Sequence, residues 1–361
     1  AVYTTGNGDY NNAFTLGPGR TTATSSYIPA AITSYGIVMQ VACGYNFTMV
    51  LFTTGTIGGW GQNDYGQISG DGSTGSVGSY LAPSLNSILG DGGNSYFISI
   101  ACGSSHTIAV KHMQTAFSWG LNNQGQCGRG NTTSPIAAGS ISQGSNTIIK
   151  IAAWTNNTAV MQSTNINDVF ACGYNGSNQL TPAAVSYYMG WVNITTSSGI
   201  AFSSSFYPVS MTGGDGSMQI LMNNGTIYSK GYNATGIVGN GTISNDTNGL
   251  FSKADIITSA VAICNGQYSM TAITGDGRVY TWGSNSDNQL GDGTTTSRFI
   301  PTALGINVIN AMSIGNTSGG FYSGIISSIA ARAALAKITN LNTASLLYRY
   351  VGSKSSFNNE Q

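Results

Sequence analysis

Short apolar runs recur along the chain, and glycine, asparagine or aspartate closes each of them. Met270–Ile273 and Arg278–Trp282 flank Asp276-Gly277, and Met218–Met222 and Thr226–Ser229 flank Asn224-Gly225. Asp-Gly and Asn-Gly supply the positive φ angles of a tight hairpin turn, so these runs predict antiparallel strands. One stretch departs from the pattern. Ile325 to Asn340 carries Ala330, Ala331, Ala333, Ala334 and Ala336 and predicts a helix. Arg332 and Lys337 interrupt it, and no other segment offers the roughly 20 apolar residues of a membrane span.

The strand-like runs belong to a longer repeat. Gly59-Trp60-Gly61, Ser118-Trp119-Gly120 and Thr281-Trp282-Gly283 are followed by similar turns: Gln62-Asn63-Asp64-Tyr65-Gly66-Gln67, Leu121-Asn122-Asn123-Gln124-Gly125-Gln126 and Ser284-Asn285-Ser286-Asp287-Asn288-Gln289. Upstream stand Val41-Ala42-Cys43-Gly44, Ile100-Ala101-Cys102-Gly103 and Ala262-Ile263-Cys264-Asn265. Weaker copies surround Gly173, where Cys172 takes the tryptophan place, and Gly231 in Ser229-Lys230-Gly231-Tyr232-Asn233. This pattern resembles the repeats of the regulator of chromosome condensation family, over about residues 1 to 324. The resemblance implies an all-β fold, a β-propeller of four-stranded blades.

Both chain ends carry half a repeat. Val2-Tyr3-Thr4-Thr5-Gly6 matches Val279–Gly283 without a first half before it, whereas Ile309–Gly315 looks like a first half with no Trp-Gly half after it. The expected arrangement has the N-terminal strands completing the C-terminal blade and closing the ring, which removes exposed sheet edges. Gly6, Gly61, Gly120, Gly173, Gly231 and Gly283 recur every 52 to 59 residues, so about six blades are expected. A diverged seventh, within Thr181 to Ser210, is the alternative. The domain reading is a propeller over 1–324 and a partly helical C-terminal extension over 325–361.

Composition narrows the function. Only 7% of the 361 residues are charged, with 12 basic against 12 acidic and Glu360 the single glutamate. Such a chain offers no electrostatic footprint for nucleic acid or a membrane surface. Gly-x-Ser-x-Gly, a P-loop and a dinucleotide fingerprint are absent, so no catalytic residue and no cofactor is assigned. Cys43, Cys102 and Cys264 share one repeat position and read as small buried hydrophobes on separate blades. No Cys or His spacing argues for zinc. His106 is read as a packed, hydrogen-bonding ring at a place where Phe47 and Tyr268 stand in other blades. The Gly-Asp-Gly triplets at Asp71, Asp215, Asp276 and Asp292 read as turns.

Ten Asn-x-Ser/Thr triplets occur, about as many as this composition supplies by chance. Asn131, Asn156, Asn175, Asn193, Asn224, Asn233, Asn240, Asn245 and Asn316 are candidate glycan acceptors, and Asn46 is set aside as part of a core strand. The chain starts at Ala1 without a basic segment leading into an apolar one, read as a leader already removed or a trimmed start. The resulting expectation is a non-enzymatic extracellular or particle-surface propeller, binding proteins or glycans and associating with itself through the C-terminal extension. The resemblance implies an alternative, a guanine-nucleotide exchange factor or other regulator of a small GTPase. The aromatic cluster of Tyr187, Tyr188, Trp191, Phe202, Phe206 and Tyr207 reads as the packing of an unusual blade or as a contact patch.

Overall fold

The structure, a computed structural model, describes residues 2–6, 26–32, 37–75, 77–81, 96–112, 115–141, 146–164, 166–182, 185–245, 249–307, 311–315 and 324–327. Two strands come first, β1 (Val2–Gly6) and β2 (Ser26–Ile32), paired, among the described residues, only with each other. Five four-stranded antiparallel blades follow. Blade 1 is β3 (Val38–Cys43), β4 (Phe47–Phe52), β5 (Ile57–Gly61) and β6 (Val77–Leu81); blade 2 is β7 (Phe97–Cys102), β8 (His106–Lys111), β9 (Ala116–Gly120) and β10 (Ile136–Ser140). Blade 3 is β11 (Ile148–Trp154), β12 (Asn157–Gln162), β13 (Val169–Tyr174) and β14 (Tyr187–Asn193). Blade 4 holds β15 (Pro208–Gly213), β16 (Ser217–Met222), β17 (Ile227–Gly231) and β18 (Ser252–Lys253), and blade 5 holds β19 (Ala260–Asn265), β20 (Ser269–Thr274), β21 (Arg278–Gly283) and β22 (Arg298–Asn307). A final pair, β23 (Ala311–Gly315) and β24 (Gly324–Ser327), again stands alone.

The expected count of six is therefore corrected to five complete blades among the described residues. Gly6 does lie in a strand, but its ladder stops at β2, and no ladder among the described residues joins β1 to β24. The strand pairing thus does not show ring closure. Thr181 to Ser210 does not hide another blade, because Tyr187–Asn193 is the outer strand of blade 3. Ile325 to Ser327 is strand where a helix was expected, held in register with Ser313 and Ile314. The rest of that stretch, and Asn316, lie outside the described residues.

Period-two alternation explains how the blades pack. Every residue of β4, β12, β16 and β20 is buried, because successive side chains enter the wedges on opposite sides of the strand. Phe47, Met49 and Leu51 face blade 2 and meet Phe97, Ile100, Ala109 and Trp119. Ile108 and Val110, on the other face of β8, meet Ile148, Ile151 and Val160 of blade 3. Between blades 3 and 4, Met161 meets Met211, Met218 and Ile220; between blades 4 and 5, Leu221 meets Met270, Ala272 and Trp282. The core is thus a series of inter-blade wedges, and burial in them supplies the main stabilisation. The glycine after the tryptophan place lets the sheet close tightly: Gly120 has φ +104°, and a Cβ there would lie 2.7 Å from the Ser105 carbonyl.

Candidate functional site

The repeat residues turn out to build one inter-blade latch. Trp119 Nε1 donates to the Gln67 carbonyl at 2.9 Å, and Thr107 Oγ1 donates to the same oxygen at 2.8 Å. Trp282 Nε1 reaches the Ile237 carbonyl at 2.8 Å. At the tryptophan place of blade 3, Cys172 Sγ contacts the Gln126 carbonyl at 3.5 Å. Blade 4 places Lys230 there, fully buried, with Nζ on the Leu180 carbonyl at 2.7 Å and 4.6 Å above the Phe251 ring. In blades 2 to 5 the residue at this place, whatever its type, reaches back to the turn of the preceding blade.

The turn itself is shaped by a buried asparagine. Oδ1 of Asn63 accepts from Ile68 N and Ser69 N, and Asn122, Asn175, Asn233 and Asn285 accept from Cys127 N, Leu180 N, Val238 N and Leu290 N. Two candidate glycan acceptors, Asn175 and Asn233, are spent on this clamp. Each is 1% exposed with its amide donating to main-chain carbonyls, so neither can accept a glycan in the folded protein. Asn131, Asn224 and Asn245 are exposed, whereas Asn156, Asn193 and Asn240 are half-buried. Asn224 and Asn240 each cap their own turn through Thr226 and Thr242. Asn46 lies in the turn before β4, not within a strand, and is itself buried.

His106 sits in the wedge between blades 2 and 3, with Nε2 at 2.8 Å from Thr158 Oγ1. Thr158 Oγ1 donates to the Gln126 carbonyl at 2.6 Å, so it accepts from the histidine, and Nε2 carries the proton. Register places Phe47, Asn157, Ser217 and Ser269 at the equivalent position; Ser269, not Tyr268, lies opposite the repeat glycine of blade 5. Burial pushes the imidazole down to about 4, against a smaller opposing effect from the Asn157 backbone. The unfolded chain thus binds a proton near pH 6.5 that the folded chain refuses until about pH 4. Stability falls as pH drops through that window, by roughly 3 kcal/mol for this group. Urea midpoints taken between pH 7 and pH 4.5 should show this slope, and His106→Phe should flatten it.

All five cysteines are free thiols, with Cys43 half-buried and the others buried. Burial pushes Cys43 up to about 11 and Cys127 up to about 12; Cys102 and Cys172 are raised by burial and then by the neighbouring Cys43 and Cys127. Neighbouring blades therefore bring these thiols within electrostatic reach of each other, where the sequence suggested separate positions. No three His, Cys, Asp or Glu side chains gather into a metal-sized group among the described residues. The aromatic cluster divides: Tyr188, Phe202 and Phe206 pack into the wedge between blades 3 and 4, Trp191 into that between blades 2 and 3, and Tyr187 is exposed.

The inner strands β3, β7, β11, β15 and β19 stand side by side. Gln40 of β3 exchanges two hydrogen bonds with Ile100 of β7, at 2.8 and 2.9 Å, and Lys150 Nζ reaches the Val209 carbonyl at 3.5 Å. Burial lowers the pKa of that lysine. Where these strands turn outward, a polar rim forms. Tyr45 N bonds to Ser104 O, Ser104 N to Thr155 O and Asp215 N to Gln267 O, linking successive blades. Asp215 accepts from Tyr268 Oη at 2.6 Å and from Gln267 Nε2 at 3.4 Å. The Tyr268 hydroxyl is pushed up to about 12, first by burial and then by this carboxylate. Tyr45 projects to solvent from the same rim. Sequence reasoning took Asp215 for turn chemistry alone; its repeat place between strands one and two was the available signal.

Comparison with known proteins agrees with this geometry. Family models described as "Regulator of chromosome condensation (RCC1) repeat" match residues 55–110 and 276–319, and a second of the same description matches 38–67, 97–126 and 260–289. The chain is 24% identical to the ultraviolet-B receptor UVR8 of Arabidopsis thaliana over 284 residues, 78% of this chain and 60% of UVR8. It is 28% identical over 219 residues to the human probable E3 ubiquitin-protein ligase HERC4, 58% of this chain but 18% of HERC4. It therefore spans less than two thirds of either relative. Among solved structures, yeast RCC1 (Prp20) bound to Kap60 superposes with a TM-score of 0.60 at 14% identity, covering 91% of this chain and 89% of Prp20. The protein is an RCC1-type repeat β-propeller. These relatives overturn the extracellular or particle-surface placement, since RCC1-type homologues are nuclear or cytosolic regulators. Secretion, glycan binding and self-association gain no support from them.

Proposed function

We propose that this propeller is a protein-binding module that regulates a small GTPase, through the polar rim around Asp215. The observation that carries the reading is the cross-blade bonding of that rim, which holds one carboxylate and an exposed tyrosine on a preorganised surface. Preorganisation favours binding, because little side-chain freedom remains to be lost on association. Prp20, which shares the fold, has been studied in yeast for its binding to Gsp1p and histones. Near-zero net charge makes a basic protein or nucleic acid a poor match for this chain.

Release of a fluorescent guanine nucleotide from a panel of small GTPases tests the reading. The chain is expected to accelerate release from at least one of them, and Asp215→Ala to weaken that GTPase's binding about tenfold, as loss of a central contact does. Capture of a GTPase without acceleration would retain the binding module and discard exchange. Failure to bind any GTPase would remove the GTPase reading altogether.

A further inference from the structure

The wedge between blades 4 and 5 is polar at places where its counterparts are apolar. Along β16, Ser217, Gln219 and Leu221 share the face turned toward blade 5, since alternate residues point the same way and Leu221 meets Met270 and Trp282. Register sets Gln219 at the place that Met49, Ile108 and Ala159 hold in blades 1 to 3. Ser229 stands directly opposite Gln219 in the ladder and shares its face. From blade 5, Asn265 takes the place of Cys102 in blade 2, and its Nδ2 donates to Gln219 Oε1 at 2.6 Å. Ser217, Gln219, Ser229 and Asn265 are all fully buried. Each keeps one atom without a hydrogen-bond partner among the described residues: the two serine hydroxyls, Gln219 Nε2 and Asn265 Oδ1. An unpaired polar atom is costly to bury and regains its bonds in water, so this part of the wedge resists opening less than a packed apolar one. Further along the same wedge the contact is apolar, with Leu221 and Ile227 against Met270, Ala272 and Trp282.

The polar part lies beneath the rim, because Ser217 directly follows the turn of Asp215 and Asn265 directly precedes the turn of Gln267 and Tyr268. At the rim, Tyr45 N to Ser104 O joins blades 1 and 2, and Asp215 N to Gln267 O, at 2.9 Å, is the equivalent bond between blades 4 and 5. Side chains reinforce that bond. Tyr268 Oη donates to Asp215 Oδ2 at 2.6 Å and Gln267 Nε2 donates to the same oxygen at 3.4 Å, so one carboxylate of blade 4 holds two side chains of blade 5. Gly214 allows the close approach, since a Cβ there would lie 2.6 Å from the Gln267 carbonyl and 2.9 Å from that of Gly266. The strongest cross-blade bonding of the rim thus sits over a wedge that is weakly held below it.

We propose that blades 4 and 5 meet at a seam that opens from the rim, pivoting on its apolar part, and that the Asp215 carboxylate is the lock on this seam. A ligand group that draws the carboxylate away from Tyr268 then loosens the wedge below. The seam belongs to the free protein, so its test needs no partner and stands apart from the nucleotide-release assay. Thiol labelling without denaturant, followed by peptide mapping, reads the opening. Ser217→Cys places a probe in the seam, and the native Cys102, buried between blades 1 and 2, is the reference within the same molecule. The probe is expected to react about tenfold faster than Cys102. Asp215→Ala should speed the probe about tenfold more, the scale of a lost charge-assisted hydrogen bond, and leave Cys102 unchanged. Equal rates at the two thiols, or an effect of Asp215→Ala that is absent or shared by both, would overturn the proposal. Gln219→Met with Asn265→Val makes the wedge apolar while leaving the rim intact, and should slow the probe about tenfold. A rate that this pair does not change would show that polarity does not set the opening, and the seam would be discarded.

Discussion

Replacing Trp119 with alanine is expected to destabilise the protein by about 4 kcal/mol, read as a shift of the urea midpoint at constant slope. The indole is fully buried between blades 1 and 2, among Met49, Leu51 and Ile100, and its removal leaves a cavity that two rigid sheets cannot collapse to fill. Trp119→Phe separates the two contributions. It keeps most of the packed volume but loses the Nε1 bond to the Gln67 carbonyl, which still accepts from Thr107 Oγ1. That carbonyl is not orphaned, so the phenylalanine variant should lose only about 1–2 kcal/mol. Equal losses in both variants would assign the stabilisation to the hydrogen bond and not to the wedge.

The same comparison shows what the amino-acid pattern could and could not reveal. Trp60, Trp119 and Trp282 were legible as one repeat place because a large side chain must fill the same wedge each time. Cys172 and Lys230 looked like divergence at that place, yet the wedges are filled from elsewhere. Trp191 of the outer strand lies against the turn at Gly128, where a Cβ would come within 2.4 Å of its ring. Phe251 supplies the apolar partner over which Lys230 lies. Those substitutes sit about 20 residues from the place they serve, so local pattern could not assign them.

Blade number failed for a different reason. Glycine spacing counts one strand per repeat, and Gly6 keeps that spacing in a strand whose ladder, among the described residues, stops at β2. The bulges of the inner strands were hidden because two adjacent apolar residues, as in Val38-Met39 or Ile148-Ile149, look like one buried strand. Only the register slip reveals that one of them leaves the ladder. Cellular placement was misjudged because neutral polarity was taken for an exported surface, whereas in this fold much of the Asn and Thr content is consumed by clamps and latches.

The clamp itself provides the second large effect. Asn285 accepts from Leu290 N at 3.0 Å and donates to Thr294 O, Thr296 O and Asp292 Oδ1 at 2.8, 3.1 and 3.1 Å. Asn285→Ala removes all of these from a fully buried position, and about 3 kcal/mol of stability should be lost, because several main-chain groups lose their partner together. Asn285→Asp keeps the acceptor but sets a second carboxylate beside Asp292. Burial acts to raise Asp292, yet bonds from Thr294 and Arg298 outweigh it and hold that carboxyl below its ordinary range, so it stays ionised. The new carboxyl, buried and next to that charge, then has a folded-state pKa above its unfolded value. Its penalty is full at neutral pH and is relieved as pH falls through the folded-state value, the opposite slope to that of His106. Urea midpoints of Asn285→Asp and the unaltered protein should therefore converge between pH 7 and pH 5. A gap that stays constant across that range would show that the lost amide donors, and not the added charge, dominate the turn.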